Sequence, residues 1–216
     1  MKLGVLFSGG KDSYLAMHIA SETHELSCLL TINSSNPDSW MFHTPAIEWT
    51  KLQSQSLKIP QIIQNTKGVQ DKELDDLFEL IEKGKNQYSI EGVVTGALAS
   101  TYQSTRIQKI CNDLNLWCFN PLWQMSQETL LEELIENNIE SIITGVAAEP
   151  FDDEWLGREI NLECINDLIK LKGSHRINPA GEGGEIESFV INAPLFNSKL
   201  EIIQSKIHYS NYSGRL

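Results

Sequence analysis

The chain has 216 residues, 41% hydrophobic and 21% charged, which is enough for a sizeable core and too apolar for a disordered chain. Its formal net charge of −12 repels phosphate backbones, so no direct nucleic-acid partner is expected, although a local basic patch can hide in such an average. No apolar run approaches the ~20 residues of a membrane span, and the N-terminus reaches a glycine turn at Gly9 too soon for a secretory leader; the chain reads as cytoplasmic, with no membrane partner.

Lys2 to Phe7 is a short apolar run stopped by Ser8-Gly9-Gly10, the pattern of a buried strand entering a tight turn. Asp12 to Ala20 carries Leu15, Ala16 and Ile19 at helical spacing, and Glu25 to Ile32 is a second strand closed by a polar loop from Asn33 to Ser39. Pro45 to Leu57 reads as a helix with its proline in the first turn. A strand over Gln61 to Gln64 follows, then an amphipathic helix over Asp71 to Lys83 with Leu74, Leu77, Phe78 and Ile81 on one face. Gly92 to Thr95 (strand), Leu98 to Leu114 (helix) and Leu116 to Phe119 (strand) continue the alternation. Ser126 to Glu136 starts as an incomplete capping box, with Thr129 where glutamate belongs. Ser141 to Val146 is a further strand and Ile160 to Lys170 a further helix. Nothing interpretable marks Asn197 to Leu216. The alternation predicts an α/β fold, a doubly wound, mostly parallel sheet, with ligands at the carboxyl ends of strands and a smaller C-terminal lobe. A division at 1–121 and 122–216 is expected, though no composition shift marks it. Cys28, Cys111, Cys118 and Cys164 form no C-x-x-C pair, so zinc and iron–sulfur readings lack ligands.

Ser8, Gly9, Gly10, Lys11, Asp12 and Ser13 fall between the first strand and the first helix. Two glycines permit a tight turn, and backbone amides near a helix N-terminus make an anion site to which Lys11 adds charge. A Walker A loop is excluded, because Lys11 is followed by Asp12 and Val5 stands where its first glycine belongs. No G-x-G-x-x-G is present either. The hexapeptide resembles the S-G-G-x-D-S signature of the PP-loop ATP pyrophosphatases. That resemblance implies ATP held by its β,γ-pyrophosphate, attack at the α-phosphate, and Mg²⁺ bridging the phosphates with Asp12 as a metal ligand.

Further blocks resemble the diphthine–ammonia ligase family along nearly the whole chain: Ser39-Trp40-Met41-Phe42-His43, Thr95-Gly96-Ala97-Leu98-Ala99-Ser100 with Tyr102, Gln103 and Arg106, Asn120-Pro121-Leu122-Trp123, and Glu154-Trp155-Leu156-Gly157-Arg158. The most discriminating is E-G-G-E-x-E, present as Glu182, Gly183, Gly184, Glu185 and Glu187. The resemblance implies ATP-dependent amidation of diphthine, a modified histidine of translation elongation factor 2, by ammonium through an acyl-adenylate. A PP-loop ligase acting on a small carboxylate, as in corrinoid salvage, and a non-catalytic nucleotide-binding protein are the alternatives. A homodimer is compatible with the sequence.

Lys11, Asp12, Glu182, Glu185 and Glu187 are the candidate catalytic residues, and the phosphate loop with Ile32, His43, Gly96, Gln103 and Arg106 the candidate nucleotide-binding ones. Gly96, at a strand end, leaves room for a ribose, although an ordinary turn glycine has the same signature. Gln103 and Arg106 share a helical face and can read phosphate. The glutamates, with the aromatic face of Trp123 or Trp155, suit the fixed trimethylammonium of diphthine; they can equally hold ammonium or Mg²⁺, or form a solvated charge run.

Overall fold

Strand β1, Lys2–Leu6, is central to the fold because both of its faces are apolar: Leu3 and Val5 are buried completely in one core, and Leu6, on the opposite face, packs against a second. In the computed structural model, which describes residues 1–34, 36, 46–68 and 72–216, β1 lies between β2, Glu25–Ser34, and β4, Gly92–Val94. With β3, Gln61–Thr66, and β5, Trp117–Phe119, they form a five-stranded sheet in the order β3-β2-β1-β4-β5, parallel at every pairing. The chain order reverses between β1 and β4, where a crevice opens beyond the strand ends.

The helices follow the predicted periodicity. Helix α1, Lys11–Ser21, buries Tyr14, Leu15, Ala16 and Met17, and the Tyr14 hydroxyl accepts a hydrogen bond from Leu195 N–H at 3.1 Å. Burial pushes the phenol of Tyr14 up to about 12. Pro45 lies outside the described residues; beyond it, Ile47–Trp49 is a 3₁₀ turn leading into α2, Thr50–Leu57. Helix α3, Lys72–Tyr88, runs past the expected end and buries Leu77, Leu80 and Ile81. Helix α4, Thr101–Asp113, starts later than expected because Ser100 is its N-cap, its hydroxyl accepting from Gln103 N–H. In α5, Gln127–Glu136, the Ser126 hydroxyl accepts from Thr129 N–H at 3.0 Å, so the missing glutamate does not prevent capping. Asn161 caps α6, Leu162–His175, in the same way.

The expectation that Ser141 to Val146 continues the parallel alternation is corrected. Strand β6, Glu140–Ala147, belongs to a second sheet, where it pairs antiparallel with β7, Ile186–Asn192, and with β9, Ser213–Arg215. Strand β8, His208–Ser210, completes the order β7-β6-β9-β8. Hydropathy reports that a strand is buried but not which way its neighbour runs. The two sheets share one apolar core, in which Leu3, Val5 and Leu15 join Ile143, Val146 and Val190.

Candidate functional site

The end of β1 and the start of α1 are joined by a loop whose geometry the two glycines permit. Gly9 has φ +82, a left-handed conformation costly for other residues. Its carbonyl accepts from Val190 N–H at 3.0 Å and from the Gln53 side-chain amide at 2.9 Å. The Ser188 hydroxyl accepts from Lys11 N–H at 3.1 Å, and the Ser13 hydroxyl donates to Gly10 carbonyl at 3.0 Å. The phosphate loop is thus fastened from behind by α2 and by β7 of the second sheet.

In front of it lies a cavity of about 550 Å³, large enough for a nucleotide. Ser8, Gly10, Lys11, Asp12 and Ser13 form one wall, and Leu6, Leu30, Ile32 and Ile107 an apolar side that suits a base. Gly96, in the loop after β4, and Gln103 of α4 contribute, with Glu182, Glu187 and Ser188 from the loop and strand of the second sheet. Lys11 is 2% exposed; its ammonium donates to both Asp12 carboxylate oxygens, at 2.9 and 3.0 Å, and to Ala180 carbonyl at 2.5 Å. Glu182 reaches across the cavity to the α4 N-terminus, where its carboxylate accepts from Ala99 N–H at 3.1 Å. Burial raises the Glu182 carboxyl above its ordinary range and the nearby Asp12 charge adds to this; the N–H groups of Ala99 and Ser100 and the Lys11 ammonium act against them.

Several expected residues stand elsewhere. Glu185 does not line the cavity: one carboxylate oxygen accepts from Asn178 N–H at 2.9 Å and its side-chain amide at 2.7 Å, and the other accepts from Gly183 N–H at 2.9 Å. It braces the glycine-rich loop that carries Glu182. Glu185→Gln exchanges one acceptor oxygen for a donor facing Gly183 N–H, so it is expected to cost about 1–3 kcal/mol in urea unfolding while leaving substrate KM values nearly unchanged. A raised KM with unaltered stability would return Glu185 to substrate binding. Arg106 is also absent from the cavity lining: its guanidinium lies 3.4 Å from the Tyr102 ring centre and donates to Tyr102 carbonyl. Gly96 lines the cavity, and the place its side chain would fill is taken by the backbone of Asp12 and Ser13, 2.9 Å away, so close packing of the loop after β4 on α1 already requires glycine there.

The aromatic faces considered for a trimethylammonium group are not in this cavity. Trp155 is covered by the Arg158 guanidinium at 4.7 Å and meets Phe151 edge-on, and Trp123 faces a separate hollow beside Lys109. His43, with Trp40 and Phe42, lies outside the described residues. Sequence reasoning missed Ser188, which directly follows the glutamate block, and Gln53, which looks like any polar residue of an amphipathic helix.

Among the described residues no group of three or more carboxylate, histidine or cysteine side chains is arranged to hold a metal by protein ligands alone. Mg²⁺ bound with a nucleotide needs only one or two carboxylates beside phosphate oxygens. Asp12, 39% exposed at its side chain and on the cavity wall, fits that need. Among the described residues no helix is long and apolar enough to cross a membrane.

Comparison with known proteins identifies the family. Residues 1–117 match the family model described as the diphthamide synthase N-terminal domain, and residues 126–216 that of the diphthamide synthase C-terminal domain. The diphthine–ammonia ligase of Rattus norvegicus is 34% identical over 95% of this chain and 84% of its own, and that of Homo sapiens 32% identical over 96% and 85%. A solved structure from Methanocaldococcus jannaschii, described as a predicted subunit of tRNA methyltransferase, aligns with 89% of this chain and 97% of its own at a TM-score of 0.44 and 15% identity. With both of its halves matched, the chain belongs to the diphthamide synthase family.

Proposed function

We infer that this protein is a diphthine–ammonia ligase: it amidates the diphthine of translation elongation factor 2 with ammonium, using ATP and releasing AMP and pyrophosphate. What carries the reading is the meeting, in one cavity, of the Ser8–Ser13 anion loop with Glu182 and Glu187 of the second sheet. A carboxylate is a poor acceptor for an amine, and adenylation supplies the leaving group it lacks. The diphthine carboxylate oxygen bonds to the α-phosphorus of ATP as the bond to pyrophosphate breaks. The nitrogen of ammonia then bonds to the acyl carbon, and AMP leaves with the oxygen. We take 1–121 as the nucleotide-binding part and 122–216 as the part facing the protein substrate.

In this reading Lys11 and the loop amides bind the β,γ-phosphates and stabilise charge gathering there, as in an oxyanion hole. Asp12 would hold Mg²⁺, which when bound neutralises phosphate charge. Ile32 and Gln103 contact the nucleoside end. Glu182 accepts the proton that ammonium must lose before it attacks, and Glu187 orients the cation.

Because the Glu182 pKa is raised, its proton-accepting form fills only as pH climbs past the usual carboxylate range. Amidation is expected to rise with pH across that window, and Glu182→Gln to flatten the rise and lower turnover by about 10²-fold. An unchanged pH profile in that variant assigns proton transfer to another group. The same shift acts on stability with the opposite slope. A carboxyl with a raised folded-state pKa favours the folded chain below its unfolded pKa, and that contribution is lost as pH rises through the folded pKa.

The decisive assay incubates the protein with Mg-ATP, ammonium and diphthine-bearing elongation factor 2, and follows AMP together with the acid-to-amide mass change on the target histidine. AMP coupled to that change supports the ligase. ATP binding without either product, on substrate that a known ligase converts, overturns the assignment and favours a small carboxylate as substrate.

A further inference from the structure

Behind the phosphate loop lies a buried polar side chain that the reaction does not touch. Gln53, in α2, is completely buried. Its amide nitrogen donates to Gly9 carbonyl at 2.9 Å and to Val190 carbonyl at 2.8 Å. Its oxygen has no hydrogen-bond partner, and it stands where a Gly9 side chain would, 2.5 Å from that position. An orphaned buried acceptor is costly, and most buried polar groups avoid it. The two carbonyls explain the orientation: turning the amide over would set its oxygen against both. The surrounding polar network reaches further along the same loop. Gln61 donates to Thr50 and Thr31 hydroxyls at 2.9 and 2.8 Å, and the Thr31 hydroxyl donates to Phe7 carbonyl at 2.8 Å.

A trans peptide points its N–H opposite to its C=O. Gln53 and Val190 N–H draw the Gly9 carbonyl backward, away from the cavity that Gly10 lines. The N–H of Gly10 belongs to the same peptide and is therefore turned forward. Among the described residues it has only a long contact to the Ser8 hydroxyl, at 3.4 Å.

We propose that Gln53 is a positioning residue for the phosphate loop, turning the Gly9–Gly10 peptide so that the Gly10 N–H meets the pyrophosphate end of the nucleotide. The inference rests on the reading that Ser8–Ser13 holds the β,γ-phosphates. It separates Gln53 from a purely structural residue, because AMP lacks the phosphates that the peptide serves.

The test compares ATP and AMP binding by calorimetry in the full chain. Gln53→Met keeps the length and removes the donor. ATP affinity is expected to fall about 10-fold, the equivalent of one well-placed hydrogen bond, and AMP affinity to stay within about twofold of the unmodified chain. Leu57→Ala, a core truncation in the same helix, serves as the control: it should lower the melting temperature and leave the ATP-to-AMP affinity ratio unchanged. Should the Met variant not fold, Gln53→Asn, one methylene too short to reach both carbonyls, is measured against the same criterion. Equal weakening of ATP and AMP, or no weakening of either, overturns the proposal. Failure of the parent reading looks different: the unmodified chain then binds no ATP.

Discussion

Gly9→Ala is expected to lose about 3 kcal/mol of folding stability, and with it most AMP formation. Two costs add. A side chain at φ +82 is strained by ~1–2 kcal/mol. The new methyl would also meet the Gln53 oxygen at 2.5 Å and the Thr50 methyl at 2.9 Å, both in fully buried residues with nowhere to retreat, and overpacking of this kind costs ~1–3 kcal/mol. Against a total stability of ~5–15 kcal/mol that is a large fraction. The urea midpoint measures it; a loss below about 1 kcal/mol would mean that the loop relaxes without cost and that the tight packing seen behind it is not needed.

Lys11→Met is expected to act in the opposite way, leaving the fold largely intact and lowering AMP formation by about 10²- to 10³-fold, the scale of losing a preorganised donor at developing charge. Lys11 is a buried cation whose neighbours are the Asp12 carboxylate and Ala180 carbonyl. Methionine fills the same volume and removes the desolvated charge, which offsets part of the cost of leaving Ala180 carbonyl without a donor. Lys11→Arg should not restore turnover, since a planar fork needs more room than a side chain at 2% exposure has. Measured melting temperature and AMP release separate the two effects. Near-normal AMP release from the Met variant would remove Lys11 from the phosphate site.

The contrast between these two residues shows what the sequence makes legible. Both belong to the same hexapeptide, and the type of chemistry was readable from it: a strand, two glycines, a cation and a helix start. Among the described residues, the five parallel strands and six helices were legible because each is an apolar run or an apolar period bounded by turn residues. What lay outside the sequence was direction. Glu185 and Glu187 are two residues apart, yet one turns back to Asn178 and the other lines the cavity. Gln103 and Arg106 share a helix face, but Arg106 folds over Tyr102 within its own helix. Strand β7 carries no clear mark in the sequence, because its buried positions do not alternate and a glycine-rich turn precedes it. Strands β8, His-Tyr-Ser, and β9, Ser-Gly-Arg, are short and carry no apolar run to mark them.

The shared core of the two sheets has a consequence for how the molecule comes apart. The Gly9 carbonyl needs Val190, the Lys11 ammonium needs Ala180, and the Lys11 N–H needs Ser188. A fragment ending near residue 117 would therefore carry the whole hexapeptide and keep Gln53 on the Gly9 carbonyl, yet lack the Val190, Ala180 and Ser188 contacts that fasten the loop from the second half of the chain. Unfolding should be a single cooperative step in which nucleotide affinity and the second sheet disappear together, and a nucleotide at saturating concentration should protect the far strands from proteolysis as well as the near ones.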